Sequence, residues 1–202
     1  EINKELSAQT LKFGNNLLKE TNSFKLVIDN EDDLSGLPKG VKDAAAQTAK
    51  AQDKEGKWVF TLQKPSWLPF LQYADNRDLR EKLYKAMYNR GNNDNENDNK
   101  EVINKIGNLR IKRANLLGYN THADFILEEN MAKNADNVYK LLNDVWEYAV
   151  PQAKREVAEM QAIIDAEGGN FKIEPWDWFY YTEKLREQKY ALSEEETKPY
   201  FK

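Results

Sequence analysis

The sequence predicts a mostly α protein with at most one small β-sheet, confined to the N-terminal third. Two observations carry that prediction. Apolar residues recur at three- and four-residue steps through most of the 202 positions, as the buried stripe of a helix requires. Only two stretches, 24–29 and 57–63, are short, apolar and β-branched or alternating enough to read as strands.

Taken in order, Ile2, Leu6, Phe13, Leu17 and Leu18 place a helix over residues 2–20. "FKLVID" at 24–29 is the first strand candidate, and "EDDLSGLPKG" after it is rich in turn formers. "VKDAAAQTAKAQDKEG" is a strong helix former whose expected stop is Gly56. In "KWVFTLQ" Trp58, Phe60 and Leu62 alternate with Val59 and Thr61, the pattern of a half-buried strand. From Pro65 onward the pattern is helical. Asp75 or Asn76 caps a helix carrying Leu79, Leu83 and Met87, which stops near Gly91. "NNDNENDN" at 92–99 reads as a polar linker. Val102, Ile103, Ile106 and Leu109 open the next helix, and Gly118 ends it. Asn134 caps a long helix through Val138, Leu141, Leu142, Val145 and Trp146; Pro151 should kink it or end its first half, and Gly168–Gly169 should close it. Ser193 and Glu196 form a capping pair for a last short helix. The resulting division is an N-terminal segment, 1–64, and a helical lobe, 65–202. No internal repeat is present.

Composition bounds the function. Thirty basic against 34 acidic residues give a net charge of −4, which argues against nucleic acid as a main partner. No stretch is long and apolar enough to cross a membrane. With no cysteine and one histidine, disulfides and thiolate metal sites are excluded. The chain opens in helical pattern and closes without a solubilising tail, so both ends read as cuts inside a longer protein, and the compartment stays open.

The single histidine, His122, stands among Asp124, Glu128 and Glu129. A zinc hydrolase needs three protein ligands, and the helical solution sets two histidines four apart; four residues after His122 comes Ile126. Thr121 and Asp124 instead form a helix-capping pair. His122 then becomes the first helical residue, where the helix dipole disfavours its charged form. Phe125, Ile126 and Met131 would supply the apolar face. In "PWDWFYYTEKLREQKY" Trp178, Tyr181 and Leu185 share one stripe, the mark of a helix–helix seam rather than a stacking platform. Arg110, Lys112 and Arg113 read as a solvated helix face, and the acidic pairs Asp32–Asp33 and Glu194–Glu196 as turn or cap residues. No phosphate-binding glycine loop and no nucleophile elbow occurs. The residues therefore point to no catalytic and no metal-binding position, and leave substrate contacts unassigned.

Two phrases carry a resemblance. "LLGYNTHADFILEENMAKN" (116–134) and "EPWDWFYYTEKLREQKYALSEEETKPYF" (174–201) resemble the thimet oligopeptidase family of zinc metallopeptidases, and "NDVWEYAVPQAKREVAEMQAIIDAEGG" (143–169) fits it too. The likeness runs from about residue 57 and is most similar to the dipeptidyl carboxypeptidase branch. It implies one helical lobe of a two-lobed peptidase whose deep channel admits short unstructured peptides. The parent would use zinc and release dipeptides from peptide C-termini. The family's His-Glu-x-x-His motif is absent from these residues, so the resemblance implies a fragment before that motif. Such a fragment would be inert alone, hold no zinc, form a channel wall and have the missing catalytic half of the same chain as its partner. The alternative is a helical interaction module that kept the lobe and lost the zinc half.

Overall fold

The computed structural model describes residues 1–191. They form two compact units. The first comprises residues 1–20 and 89–154; the second comprises 21–88 and the described residues from 155 onward. Among the described residues there are eight α-helices and one two-stranded sheet, the mostly α fold that the periodicity predicts. The capping pair Ser193–Glu196 lies outside the described residues.

In the second unit, β1 (Leu26–Ile28) pairs antiparallel with β2 (Trp58–Phe60), Leu26 opposite Phe60 and Ile28 opposite Trp58. α2 (Lys39–Lys50) connects them and packs along β2, presenting the small side chains of Ala45 and Ala49. The alternation in "KWVFTLQ" puts Val59 toward water, yet it is 1% exposed: with α2 along β2 the sheet is not open on its second face. α2 also stops before Gly56. Asp53 adopts φ +55°, Lys54 N–H donates to Ala49 O and Asp53 N–H to Lys50 O. This is a left-handed helix stop made by an aspartate, which a glycine-based reading passes over.

α3 (Lys64–Tyr73) accepts Pro65 in its first turn, where no N–H is needed. Phe70 of α3 meets Phe60 edge-on at 4.6 Å, and Leu34, Leu37, Leu71 and Leu83 complete the main apolar cluster. Of the two cap candidates for α4 (Arg77–Tyr88), Asn76 is the cap: its Oδ1 accepts from Leu79 N–H at 3.2 Å. Asp75 turns elsewhere, accepting from Ser35 Oγ at 2.6 Å and Tyr180 Oη at 2.7 Å. The C-terminal part of α7 (Ala135–Ala166) supplies Met160, Ile163 and Ile164 to a second cluster with Tyr180 and Tyr181 of α8 (Trp178–Tyr190). Gly168 closes α7 at φ +79°, and Gly169 N–H caps Ile164 O.

The first unit contains α1 (Ile2–Ser23) up to Glu20, α5 (Lys100–Leu116), α6 (His122–Leu127) and α7 up to Lys154. Its buried side chains are apolar (Leu6, Val102, Leu109, Ala114) and polar (Asn16, Glu20, Asn97, Asn99) in equal number. Asn16 Nδ2 donates to Asn99 Oδ1 at 2.9 Å, and Asn99 Nδ2 to Phe13 O at 3.2 Å. The buried Glu20 carboxylate accepts from Gly91 N–H at 3.1 Å, from Asn95 Nδ2 at 2.6 Å and from Asn93 Nδ2. Residues 92–99, expected as a polar linker, are a loop tied to that carboxylate through Asn93 and Asn95, with residues 92–96 exposed. Composition cannot distinguish the two, because short amides serve water and a buried acceptor equally well.

Asn134 caps α7 as expected, its Oδ1 accepting from Asn137 N–H at 2.9 Å. The helix then runs unbroken through Pro151. Proline removes one hydrogen bond, to the carbonyl four residues back. Pro151 is exposed, so water can satisfy that carbonyl.

Gly36, at φ +81°, leaves no room for a side chain: a Cβ there would stand 2.1 Å from Tyr73 O. Gly36→Ala should lower stability by roughly 1–3 kcal/mol, from strained backbone plus the clash, read as a fall in the urea midpoint of the chain. An unchanged midpoint contradicts the placement of this turn.

Candidate functional site

The "PWDW" stretch is shaped by one buried carboxylate. Pro175 starts a 3-10 turn, Pro175–Asp177, that leads into α8. Asp177 Oδ2 accepts from Glu174 N–H at 3.2 Å and closes that turn. Fully buried, Asp177 also takes Arg77 Nη2 at 2.8 Å, Arg77 Nε at 3.1 Å and Arg80 Nη2 at 2.9 Å. Arg80, itself 1% exposed, spends its other nitrogen on Ala74 O at 2.7 Å and Asp75 O at 3.1 Å. Its guanidinium lies 4.0 Å from the centre of the Tyr180 ring, and that of Arg77 lies 4.2 Å from Phe171. Burial works against the Asp75 carboxylate, but hydrogen bonds from Ser35 and Tyr180 and the charges of Lys184 and Arg80 hold it below its ordinary range. Burial and the bond to Asp75 push the Tyr180 hydroxyl far up, so Tyr180 stays neutral and donates.

This node holds α4, the 3-10 turn and α8 around a groove of about 430 Å³. Tyr84 and Tyr88 of α4, stacked at 4.2 Å, form one side. Val157, Ile173, Pro175 and Trp178 form the other, and Glu174 brings a carboxylate to the lining. The groove can accept an apolar or aromatic side chain; its lining has no nucleophile–base pair. The expected seam is real in part. Tyr181 is buried and Leu185 packs on its cluster, but Trp178 is 36% exposed and turns to the groove. Arg77, Arg80, Tyr84 and Ile173 escaped sequence reasoning, because nothing in local spacing links Arg80 to a carboxylate 97 positions away.

In the first unit His122 opens α6, and Thr121 is its N-cap. Thr121 Oγ1 accepts from Asp124 N–H and Asp124 Oδ2 from Thr121 N–H, both at 3.1 Å, so the capping pair is formed. Asp124 is committed to Thr121, and Glu128 accepts from the Tyr119 hydroxyl. The carboxylates near His122 in sequence are not gathered around it. Burial, then the charges of Arg110 and Arg113, lower the His122 pKa, which favours the neutral form by a different route from the helix dipole. The apolar face expected of Phe125, Ile126 and Met131 is not buried: Met131 is 98% exposed. Nor is Arg113 simply solvated, since it lies 5.1 Å from the Phe125 ring centre and lines a groove along α1 with Arg110. Of the acidic pairs, Asp33 accepts from Asn76 Nδ2 at 2.8 Å and Asp32 is exposed, while Glu194–Glu196 lies outside the described residues. Among the described residues no three His, Asp or Glu side chains stand together where a metal could bind.

Comparison with known proteins adds a family. Residues 70–202 match the profile of peptidase family M3. The whole chain aligns at 38% identity with 30% of oligopeptidase A from Haemophilus influenzae. It aligns at 34% identity with 26% of the organellar oligopeptidase A of Arabidopsis thaliana. Ninety-nine percent of it aligns at 31% identity with 29% of dipeptidyl carboxypeptidase from Escherichia coli. The chain thus spans under a third of the length of these relatives.

Two variants test the geometry. Asp177→Asn should destabilise the chain by about 3–5 kcal/mol, because it leaves the Arg80 charge buried without its partner; a loss under about 1 kcal/mol in denaturant melts contradicts the node. Thr121→Ala should cost roughly 0.5–2 kcal/mol through unpaired helix N–H groups, and His122→Ala less. With its folded pKa lowered, His122 contributes stability that is whole above about pH 6.5 and declines as pH falls through the folded value. His122→Gln should therefore flatten that part of the acid-side decline in melting temperature.

Proposed function

Since the chain belongs to peptidase family M3, we propose that it is part of a zinc-dependent peptidase that cleaves short, unstructured peptides, this part forming a wall of the substrate channel. The observation that carries the reading is the match over residues 70–202, with oligopeptidase A relatives aligned along the entire chain. The residues present do not fit zinc: one histidine, no cysteine and, among the described residues, no grouping of three potential ligands. On this reading the ligands belong to the parent's other residues, and the 202 residues alone are inert. What this chain contributes is binding. The groove between Tyr84 and Trp178 suits a hydrophobic side chain, which fits a wall that positions peptide rather than one that reacts with it.

The sequence resembles peptidyl-dipeptidases, but identity to oligopeptidase A is 38% against 31% to dipeptidyl carboxypeptidase, so release of C-terminal dipeptides is not favoured over cleavage elsewhere in the peptide. No described helix is long and apolar enough to cross a membrane.

The test is to express the longer reading frame that contains these residues. The parent should hydrolyse short peptides and stop when zinc is chelated, while the 202-residue chain does neither; mass spectrometry of the products separates dipeptide release from internal cuts. A longer reading frame without a His-Glu-x-x-His motif and without peptidase activity would favour the second reading, a non-catalytic helical module that lost the zinc half.

A further inference from the structure

The first unit is unfinished as a packed object. Both buried apolar clusters found among the described residues lie in the second unit. In the first, Leu6, Val102, Leu109 and Ala114 are buried without forming such a cluster, beside the polar Asn16, Glu20, Asn97 and Asn99, while large apolar groups stand in water. The segment of α7 from Tyr139 to Ala149 has no buried or half-buried residue. Yet its sequence is strongly two-sided. At 100° per residue, Val138, Leu141, Leu142, Val145, Trp146 and Ala149 fall on one side of the helix, and Lys140, Asp144 and Glu147 on the other. Leu141 is 66% exposed, Val145 57% and Trp146 69%. Monomeric proteins rarely leave so continuous an apolar stripe open to water.

We propose that this face of α7 is the docking surface for the rest of the parent peptidase, the polypeptide outside these 202 residues. The proposal rests on the reading of the chain as part of a longer family M3 protein. Three observations select that occupant. The relatives that contain the whole of this chain are more than three times its length, so polypeptide to cover the face exists in them. The stripe is also wide. It takes in neighbouring pairs, 141–142 and 145–146, as a helix buried in a globular core does; a two-stranded coil between two copies needs only a narrow seam. Finally, the stripe is mostly aliphatic and carries no charge, which suits permanent burial better than intermittent contact with a peptide substrate.

Photo-crosslinking in the full-length parent tests this. Trp146→p-benzoylphenylalanine keeps an aromatic ring on the face, and separately Tyr139→p-benzoylphenylalanine keeps one at its edge, about 20° beyond Trp146 around the helix. Lys140→p-benzoylphenylalanine, on the charged side, is the control. The expected result is intramolecular cross-links from positions 146 and 139 to residues outside the 202, at yields at least about tenfold above the control, with backbone amides 138–150 protected from exchange. Cross-links within the 202 residues, or cross-links joining two copies together with a dimer in sedimentation, overturn the proposal. So do amides 138–150 that exchange as freely as an unprotected segment, or a reading frame that contains nothing beyond these residues. The readout is independent of catalysis: a parent that cross-links as expected but cleaves no peptide defeats the peptidase reading and leaves the docking surface standing.

Discussion

A single buried carboxylate organises the second unit. Asp177 has no contact with water and no neutral partner strong enough to replace it, so its charge must be met by cations held at fixed distance. Arg77 and Arg80, one turn apart on α4, meet it. Every other feature of the site inherits from that demand. Arg80 must be buried as well, and its Nη1 reaches for the carbonyls of Ala74 and Asp75 at the end of α3. Asp75 is thereby placed to take the Tyr180 hydroxyl, which ties α8 to the α3–α4 corner. Buried ion pairs contribute little net stability against an apolar core of equal volume. What this one does is fix a register: α4 cannot slide along α8 without stranding a charge.

The groove is a consequence of that register. α4 presents Tyr84 and Tyr88 one turn apart, and the 3-10 turn that Asp177 closes presents Pro175, with Trp178 at the start of α8 beside it. Rigid backbone on two sides and aromatic walls make a site that selects by shape and hydrophobicity.

The first unit follows the opposite principle. Its interior satisfies polar groups with polar groups, Glu20 with the asparagines of 93–95 and Asn16 with Asn99. A network of this kind specifies one arrangement closely, because each unmade bond leaves a desolvated group. It buries little apolar surface, and the apolar surface of this unit is turned outward, on α1, α5 and α7. The division is between a unit with two buried apolar clusters and one whose larger apolar groups face outward.

By itself the sequence determined where helices form, because periodicity and caps are local: Thr121 and Asn134 act on N–H groups within three residues, and the spacing of Val138, Leu141 and Leu142 is a property of the helix alone. The familiar phrases 116–134 and 174–201 likewise named a family without any coordinates. Tertiary structure alone decided what each polar residue is for. Asn93 and Asn95 look the same in a solvated linker as in a loop that coordinates Glu20, and Asp177 looks the same as any aspartate beside a tryptophan. The partners lie 73 to 100 residues away, and charge complementarity over that span leaves no periodic trace. The stop of α2 and the continuity of α7 through Pro151 were settled locally instead: Asp53 and Lys54 N–H close the helix onto Lys50 O and Ala49 O, and Pro151 is exposed, so water can meet the carbonyl it leaves unpaired.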